Sequence, residues 1–283
     1  MYPKAILALH DVDAPNDVLM PAIHLAADID AHLTVLVLGL TPQPPMSAGY
    51  GAGAFEVWGE DFSRRSGVVG AKVQDLEQWV QAQKPFETIS YDVASEYSQS
   101  GTLSREISRR VRYSDMCIIA GRYKADSVLW QQAMRGALYD TGRPVLLMND
   151  HTLSISSLER VMLGWDAGVQ SSIAVKHAID LLATAKDVHV AMVDPQAASE
   201  RFGDEPGADL ATYLARHSVP VSVCALASMD KSVADVLNQH ANDMDAQLVV
   251  MGGYGHSRLQ EWFLGSTTSH MLNLADRPLL LAH

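Results

Sequence analysis

The chain repeats itself, and no other feature constrains its fold as much. Near the start stands KAILALHDVDAPNDVLMPAIHLAADIDAHLTVLVLGL, and from Glu159 onward stands ERVMLGWDAGVQSSIAVKHAIDLLATAKDVHVAMVDP. Both read as an apolar strand ending in an aspartate (Asp11, Asp166), an amphipathic helix and a second apolar strand. Later segments match as well: DMCIIAGRY answers QLVVMGGYG, and TGRPVLLMND answers ADRPLLLAH. Two copies of one unit follow each other, the first lengthened by the Gly/Pro-rich insertion GLTPQPPMSAGYGAGAF.

Each copy alternates strand and helix five times. Strands are expected near 4–10, 33–39, 86–93, 115–121 and 143–148, and again near 159–166, 187–193, 219–226, 246–252 and 278–282. Continuous apolar runs such as TVLVLGL and LVVMGG suit strands covered on both faces, hence parallel sheets flanked by helices. Helical stripes fall at Val175, Ile179 and Leu182, and at Val233, Val236, Leu237 and His240. The boundary falls in the polar, turn-rich NDHTLSISS, giving α/β units over 1–150 and 157–283. The apolar last strands, RPVLLMN and RPLLLAH, end as sheet edges, which pairing of the two copies would cover.

Charge narrows the function. The net charge is −12, and acidic side chains outnumber basic ones in both copies, so nucleic acid is not an expected partner. No apolar run approaches the ~20 residues that span a bilayer, and the start lacks a signal-peptide pattern. Cys117 and Cys224 sit in apolar strand-like runs and read as small buried hydrophobes in a reducing compartment, so a cytoplasmic location is expected. The eleven histidines form no H-E-x-x-H, no C-x-x-C occurs, and no metal ligands are expected.

The second copy carries the chemistry. Open parallel sheets bind ligands beyond the carboxyl ends of their strands. There stand Asp166, Val193 with Asp194, and Met251-Gly252-Gly253-Tyr254-Gly255. Glycines let backbone turn tightly and approach a ligand closely. Further on, Gly265-Ser266-Thr267-Thr268 opens the last helix, whose unpaired N–H groups and hydroxyls favour a phosphate. Asp166 could accept hydrogen bonds from a ribose or an adenine edge. The pattern is neither a Walker A loop nor a dinucleotide fingerprint, since Arg258 stands where the third small residue belongs.

The spacing Gly252-x2-Gly255-x9-Gly265-Ser266, with the first-strand aspartate and the final RPLLLAH, resembles the universal stress protein family in its tandem two-domain form. The resemblance covers essentially the whole chain. It implies two consecutive flavodoxin/Rossmann-like (adenine nucleotide α-hydrolase-like) domains, each a five-stranded parallel sheet of order 3-2-1-4-5. It also implies binding of ATP, ADP or AMP; Mg2+ accompanying a triphosphate is expected because the ion arrives with the phosphates. On this resemblance Asp166 contacts the adenosine moiety, the Val193 backbone faces the adenine and Met251 lines the pocket. Gly252 and Gly255 admit the phosphates, and Gly265, Ser266 and Thr267 bind them. His256 lies beside them in sequence without an assigned role, and no catalytic residue is expected. The function implied is a nucleotide-responsive regulator or stress-resistance factor, at most a slow ATPase.

The first copy keeps Asp11, but Gly121 is followed by Arg122-Tyr123-Lys124, with Lys124 read in the place of the second glycine. It is expected to complete an intramolecular pseudo-dimer, with a further homodimer open. Two other patterns are weighed and set aside. Gly49-x-Gly51-x-x-Ala54 lies well past its strand and reads as a linker loop. Asp11-x-Asp13 resembles an aspartate-nucleophile phosphatase motif, but Pro15 breaks it and Gly168 replaces the second aspartate in the other copy. The remaining alternative is a nucleotide-free assembly scaffold.

Overall fold

The computed structural model describes residues 2–44, 52–82, 89–122, 124, 126–149, 151–198, 205–253, 267–274 and 276–283. In the first half, β1 (Ala5–Asp11), β2 (His32–Leu40), β3 (Tyr91–Ser98), β4 (Met116–Ala120) and β5 (Val145–Asn149) alternate with helices. These are α1 (Met20–Asp28), α2 (Ala52–Gln81), α3 (Ser100–Val111) and α4 (Val128–Met134), the last running into a π-helical turn at Arg135–Tyr139. The second half repeats the plan. Its strands are β6 (Arg160–Gly164), β7 (Asp187–Val193), β8 (Val221–Leu226), β9 (Leu248–Gly252) and β10 (Leu279–Ala282). Its helices are α5 (Val169–Leu182), α6 (Ala208–Arg216), α7 (Val233–Asp243) and α8 (Thr267–Leu274).

The ten strands form one sheet in the order β3-β2-β1-β4-β5-β10-β9-β6-β7-β8. Each half reads 3-2-1-4-5 and is parallel throughout. The two expected sheets are thus continuous. β5 and β10 pair antiparallel, with Leu279 opposite Leu147, Leu280 opposite Leu146 and Leu281 opposite Val145. Two strand edges with open N–H and C=O rows satisfy each other in this way.

Alternation along the strands divides the core into two layers. Ile6, Ala8, Val35, Val161, Leu163 and Val190 face one side, with Ile23 of α1, Leu76 of α2 and Ala178 of α5. Leu7, Leu9, Ile119, Met162 and Val249 face the other, with Ile107 of α3, Trp130 of α4, Leu237 of α7 and Met271 of α8. Burying each such leucine or isoleucine stabilises the fold by about 2 kcal/mol.

Four expectations shift. The third strand spans Tyr91–Ser98 rather than 86–93, and residues 86–88 of that expectation lie outside the described residues. This edge strand pairs residue for residue with β2, Leu33 to Tyr91 through Leu40 to Ser98. That ladder sets its register, whereas an edge needs little apolar surface to announce it. Ala54, read as loop, lies within the long helix α2, while Gly49 and Gly51 are outside the described residues. The expected polar linker is docked: Leu153, Ile155 and Leu158 are buried. The carboxylate of Asp28, at the end of α1, accepts from the Ile155 N–H at 2.6 Å and the Ser156 N–H at 3.1 Å. Cys117 is buried as expected, but Cys224 is only half-buried, because β8 is the other edge of the sheet.

Candidate functional site at the carboxyl end of the second half

The chain leaves β6 towards β7 on one side, while β9 lies on the other, so strand order switches between β6 and β9. A crevice opens at such a switch. Gly164 is in register with both Ala191 of β7 and Met251 of β9. Two residues further along each path stand Asp166, Val193 and Gly253, so three strand ends reach the crevice at one level. Met251 is buried on the α7 and α8 side of the sheet.

Asp166 is held in a tight turn. Its Oδ1 accepts the Gly168 N–H at 2.9 Å, and Ala167 between them takes a left-handed φ of 55°. α5 starts immediately after, with Gly168 as its extended N-cap residue. The first half builds the same turn, with Asp11 Oδ1 accepting the Asp13 N–H at 3.0 Å. Beyond Val193, the Asp194 N–H donates to the Leu226 carbonyl at 2.8 Å. Asp194 Oδ1 accepts the Ser228 N–H at 3.0 Å, and hydrogen bonding from Ser228 holds this carboxyl below its ordinary range.

Gly252 makes a contact that sequence reasoning did not foresee. A Cβ there would lie 2.5 Å from the amide nitrogen of Ser171 and 2.7 Å from the carbonyl carbon of Gln170. Its bareness lets the first turn of α5 settle against the end of β9. The first turn of α5, where a helix has amides without intrahelical partners, thus lies beside the end of β9. Gly253 continues the strand end differently. Its N–H donates to the Ala282 carbonyl at 2.8 Å, and its own carbonyl accepts from His283 Nδ1 at 3.0 Å. The His283 ring packs against Tyr139 of the first half at 4.7 Å between centroids.

Thr267 is the first residue of α8. In the same helix His270 reaches the start of α7, its Nδ1 3.2 Å from the Oγ of Ser232, the N-cap residue of that helix. His270 Nε2 also lies 3.7 Å from Oδ1 of Asp235, so α8 is tied to the first turn of α7. Gly255, Gly265 and Ser266 lie outside the described residues, as do His256 and Arg258.

The register corrects the comparison of the two halves. Leu9 pairs with Ile119 as Gly164 pairs with Met251, so Ala120 corresponds to Gly252 and Gly121 to Gly253. Counting on, Tyr123 corresponds to Gly255, not Lys124. The first half thus carries a Cβ where the second has Gly252. It also enters its first helix later, through a short 3-10 turn at Asn16–Leu19.

Residues 157–283 match the model of the universal stress protein family. That half of the chain belongs to the universal stress protein family. The likeness in fold extends over the whole chain. A universal stress protein from Archaeoglobus fulgidus DSM 4304 superposes with a TM-score of 0.61 at 14% identity, covering 98% of this chain and 97% of that one. A functionally unknown protein from Pseudomonas aeruginosa PAO1 gives 0.60 at 16%, covering 99% and 92%. The universal stress protein fold is therefore present in tandem. No curated protein matches the chain. Among the described residues, no helix is long and apolar enough to cross a membrane.

Proposed function

We propose that this protein binds an adenine nucleotide, ATP or its ADP and AMP forms, on the second half of its sheet and acts in the cytoplasm as a nucleotide-responsive regulator or stress-resistance factor. The observation that carries this reading is the arrival of Asp166, Val193 and the Gly252–Gly253 end of β9 at one level beside the β6–β9 switch. The donor set there fits a nucleotide: a strand-end carboxylate for hydroxyl or amine donors, and helix amides for phosphate. In this reading Asp166 contacts the adenosine moiety, the Val193 backbone faces the adenine and Met251 lines the pocket. Gly252 acts by admitting α5, Gly255 leaves room for phosphates, and Gly265, Ser266 and Thr267 bind them. Mg2+ accompanying a triphosphate would offset its charge.

We assign the division of labour to units 1–150 and 157–283. The first forms an intramolecular pseudo-dimer with the second through β5 and β10 and binds no nucleotide, and the whole chain is open to homodimerisation. Any hydrolysis of the bound nucleotide is read as slow at most. A ligand regulates by binding one state of the protein better than another.

The test is to denature freshly purified protein, quantify released nucleotide, and titrate nucleotide-free protein with ATP and Mg2+ by calorimetry. Beside it runs Gly255→Tyr, which installs the residue of the corresponding place in the first half. One adenine nucleotide per chain, lost in Gly255→Tyr, is expected. Two per chain would give the first half a site of its own. No nucleotide and no heat would leave the scaffold reading, which the packing role of Gly252 favours.

A further inference from the structure

Three potential metal-binding side chains meet well away from the crevice. His189 is the third residue of β7, Cys224 the fourth of β8 and His240 the eighth of α7. His189 pairs with Ser222 and Ala191 with Cys224, so His189 and Cys224 project from the same face of neighbouring strands. α7 lies on that face, with Ala234, Leu237 and Ala241 in the apolar layer that includes Ala191. His240, one turn beyond Leu237, reaches the pair. His189 Nδ1 lies 3.3 Å from His240 Nε2 and 3.7 Å from Cys224 Sγ. All three donor atoms lie within 4.8 Å of one another.

The two separations from His189 Nδ1 are those of a coordination polyhedron. In a tetrahedral zinc site, ordinary bond lengths put two nitrogens about 3.3 Å apart and a nitrogen and a sulfur about 3.6 Å apart. A further contact completes the arrangement. Asp187 Oδ2 lies 3.0 Å from His189 Nε2. A carboxylate there keeps the ring proton on Nε2 and leaves the Nδ1 lone pair directed at the other two groups. Without an ion, that single lone pair can accept from only one of its two neighbours at full strength. The His189 side chain is 22% exposed, which gives an ion a way in and leaves room for a fourth, water ligand.

We propose that His189 Nδ1, His240 Nε2 and Cys224 Sγ form a binding site for one transition-metal ion of the Zn2+ class, with Asp187 orienting His189. Two imidazoles and a thiolate select a borderline-soft ion over Mg2+ or Ca2+. The ion ties the edge strand β8 to β7 and to α7. Binding releases the thiol proton to solvent and leaves the oxidation state of every group unchanged. The ligands are separated by 35 and 16 positions in the sequence, so no local motif announces them. The site is independent of the nucleotide reading.

The experiment is a titration of reduced, metal-free full-length protein with Co2+ alone, followed by Zn2+ displacement. One Co2+ per chain is expected, with intense tetrahedral d–d bands and a thiolate-to-cobalt charge-transfer band. Cys224→Ser should abolish the charge-transfer band, and His240→Gln should weaken binding by about 100-fold or more. Asp187→Asn, which removes only the orienting partner, should weaken it about 10- to 100-fold. Zn2+ should raise the thermal midpoint of the natural sequence by several degrees and leave that of Cys224→Ser in place. The cobalt spectrum of the natural sequence needs no variant to fold. Absence of a thiolate band in that spectrum, or affinity unchanged in a folded Cys224→Ser, would overturn the proposal.

Discussion

Gly252 lies under the first turn of α5, so close that a Cβ on it would stand 2.5 Å from the Ser171 amide nitrogen. The neighbouring Gly253 is far less confined, since a Cβ there would meet the end of the Leu138 side chain at 3.1 Å. Backbone cannot step aside as a leucine methyl can. Gly252→Ala should therefore destabilise the protein by about 3 kcal/mol, and Gly253→Ala by less than about 1 kcal/mol. Urea unfolding of both variants checks this, and equal losses would contradict the packing of α5 on β9.

The strand-end aspartates separate structure from function. Asp11 and Asp166 make the same turn in the two halves. Replacing either with alanine should lower stability by about 1 kcal/mol. Only Asp166→Ala should also weaken nucleotide binding in calorimetry. A comparable loss in Asp11→Ala would move the binding site or add a second one.

His10 makes the protein acid-sensitive. It is fully buried in β1, and neither ring nitrogen has a hydrogen-bond partner among the described residues. Burial, helped by the positive charge of Lys72, lowers its pKa from 6.5 to about 4. The unfolded chain takes up this proton first as pH falls, so the folded state is favoured in full above pH ~6.5 and loses stability progressively towards pH ~4. The loss attributable to His10 is about 3 kcal/mol. Urea midpoints between pH 7.5 and 4 should fall more steeply for the natural sequence than for His10→Leu. Parallel profiles would show that His10 is solvated.

Asp28 fastens the segment between the halves. Burial pushes its carboxyl upward in pKa, but hydrogen bonds from Ser156, Ile155 and Ser154 outweigh this and hold it below its ordinary value. That contribution is complete above the unfolded pKa of ~3.9 and is lost as pH falls through the folded value. Because the group is exposed to solvent, Asp28→Ala should cost only about 1 kcal/mol at neutral pH. Its clearer signature is faster amide exchange at Ile155 and Ser156. Unchanged exchange would mean that the buried Leu153, Ile155 and Leu158 hold the segment by themselves.

The amino-acid sequence by itself determined the duplicated α/β plan, the inner strands and the segments that reach the candidate site. Those features are written in short-range periodicity: apolar runs such as TVLVLGL, strand-end aspartates and glycine spacing. Edge strand β3 was misplaced because half its backbone faces no partner, and so it needs no apolar run. Pairing of β5 with β10 was legible as a need to cover two edges, and only the tertiary structure decided its register and the continuity of the ten strands. It also decided what Gly252 is for. Its neighbour, Ser171, is 81 positions away in the chain, and no local pattern records a distance between a strand end and a helix amide. His189, Cys224 and His240 belong to the same class: parity places each on a face, but the sheet and α7 bring their donor atoms together.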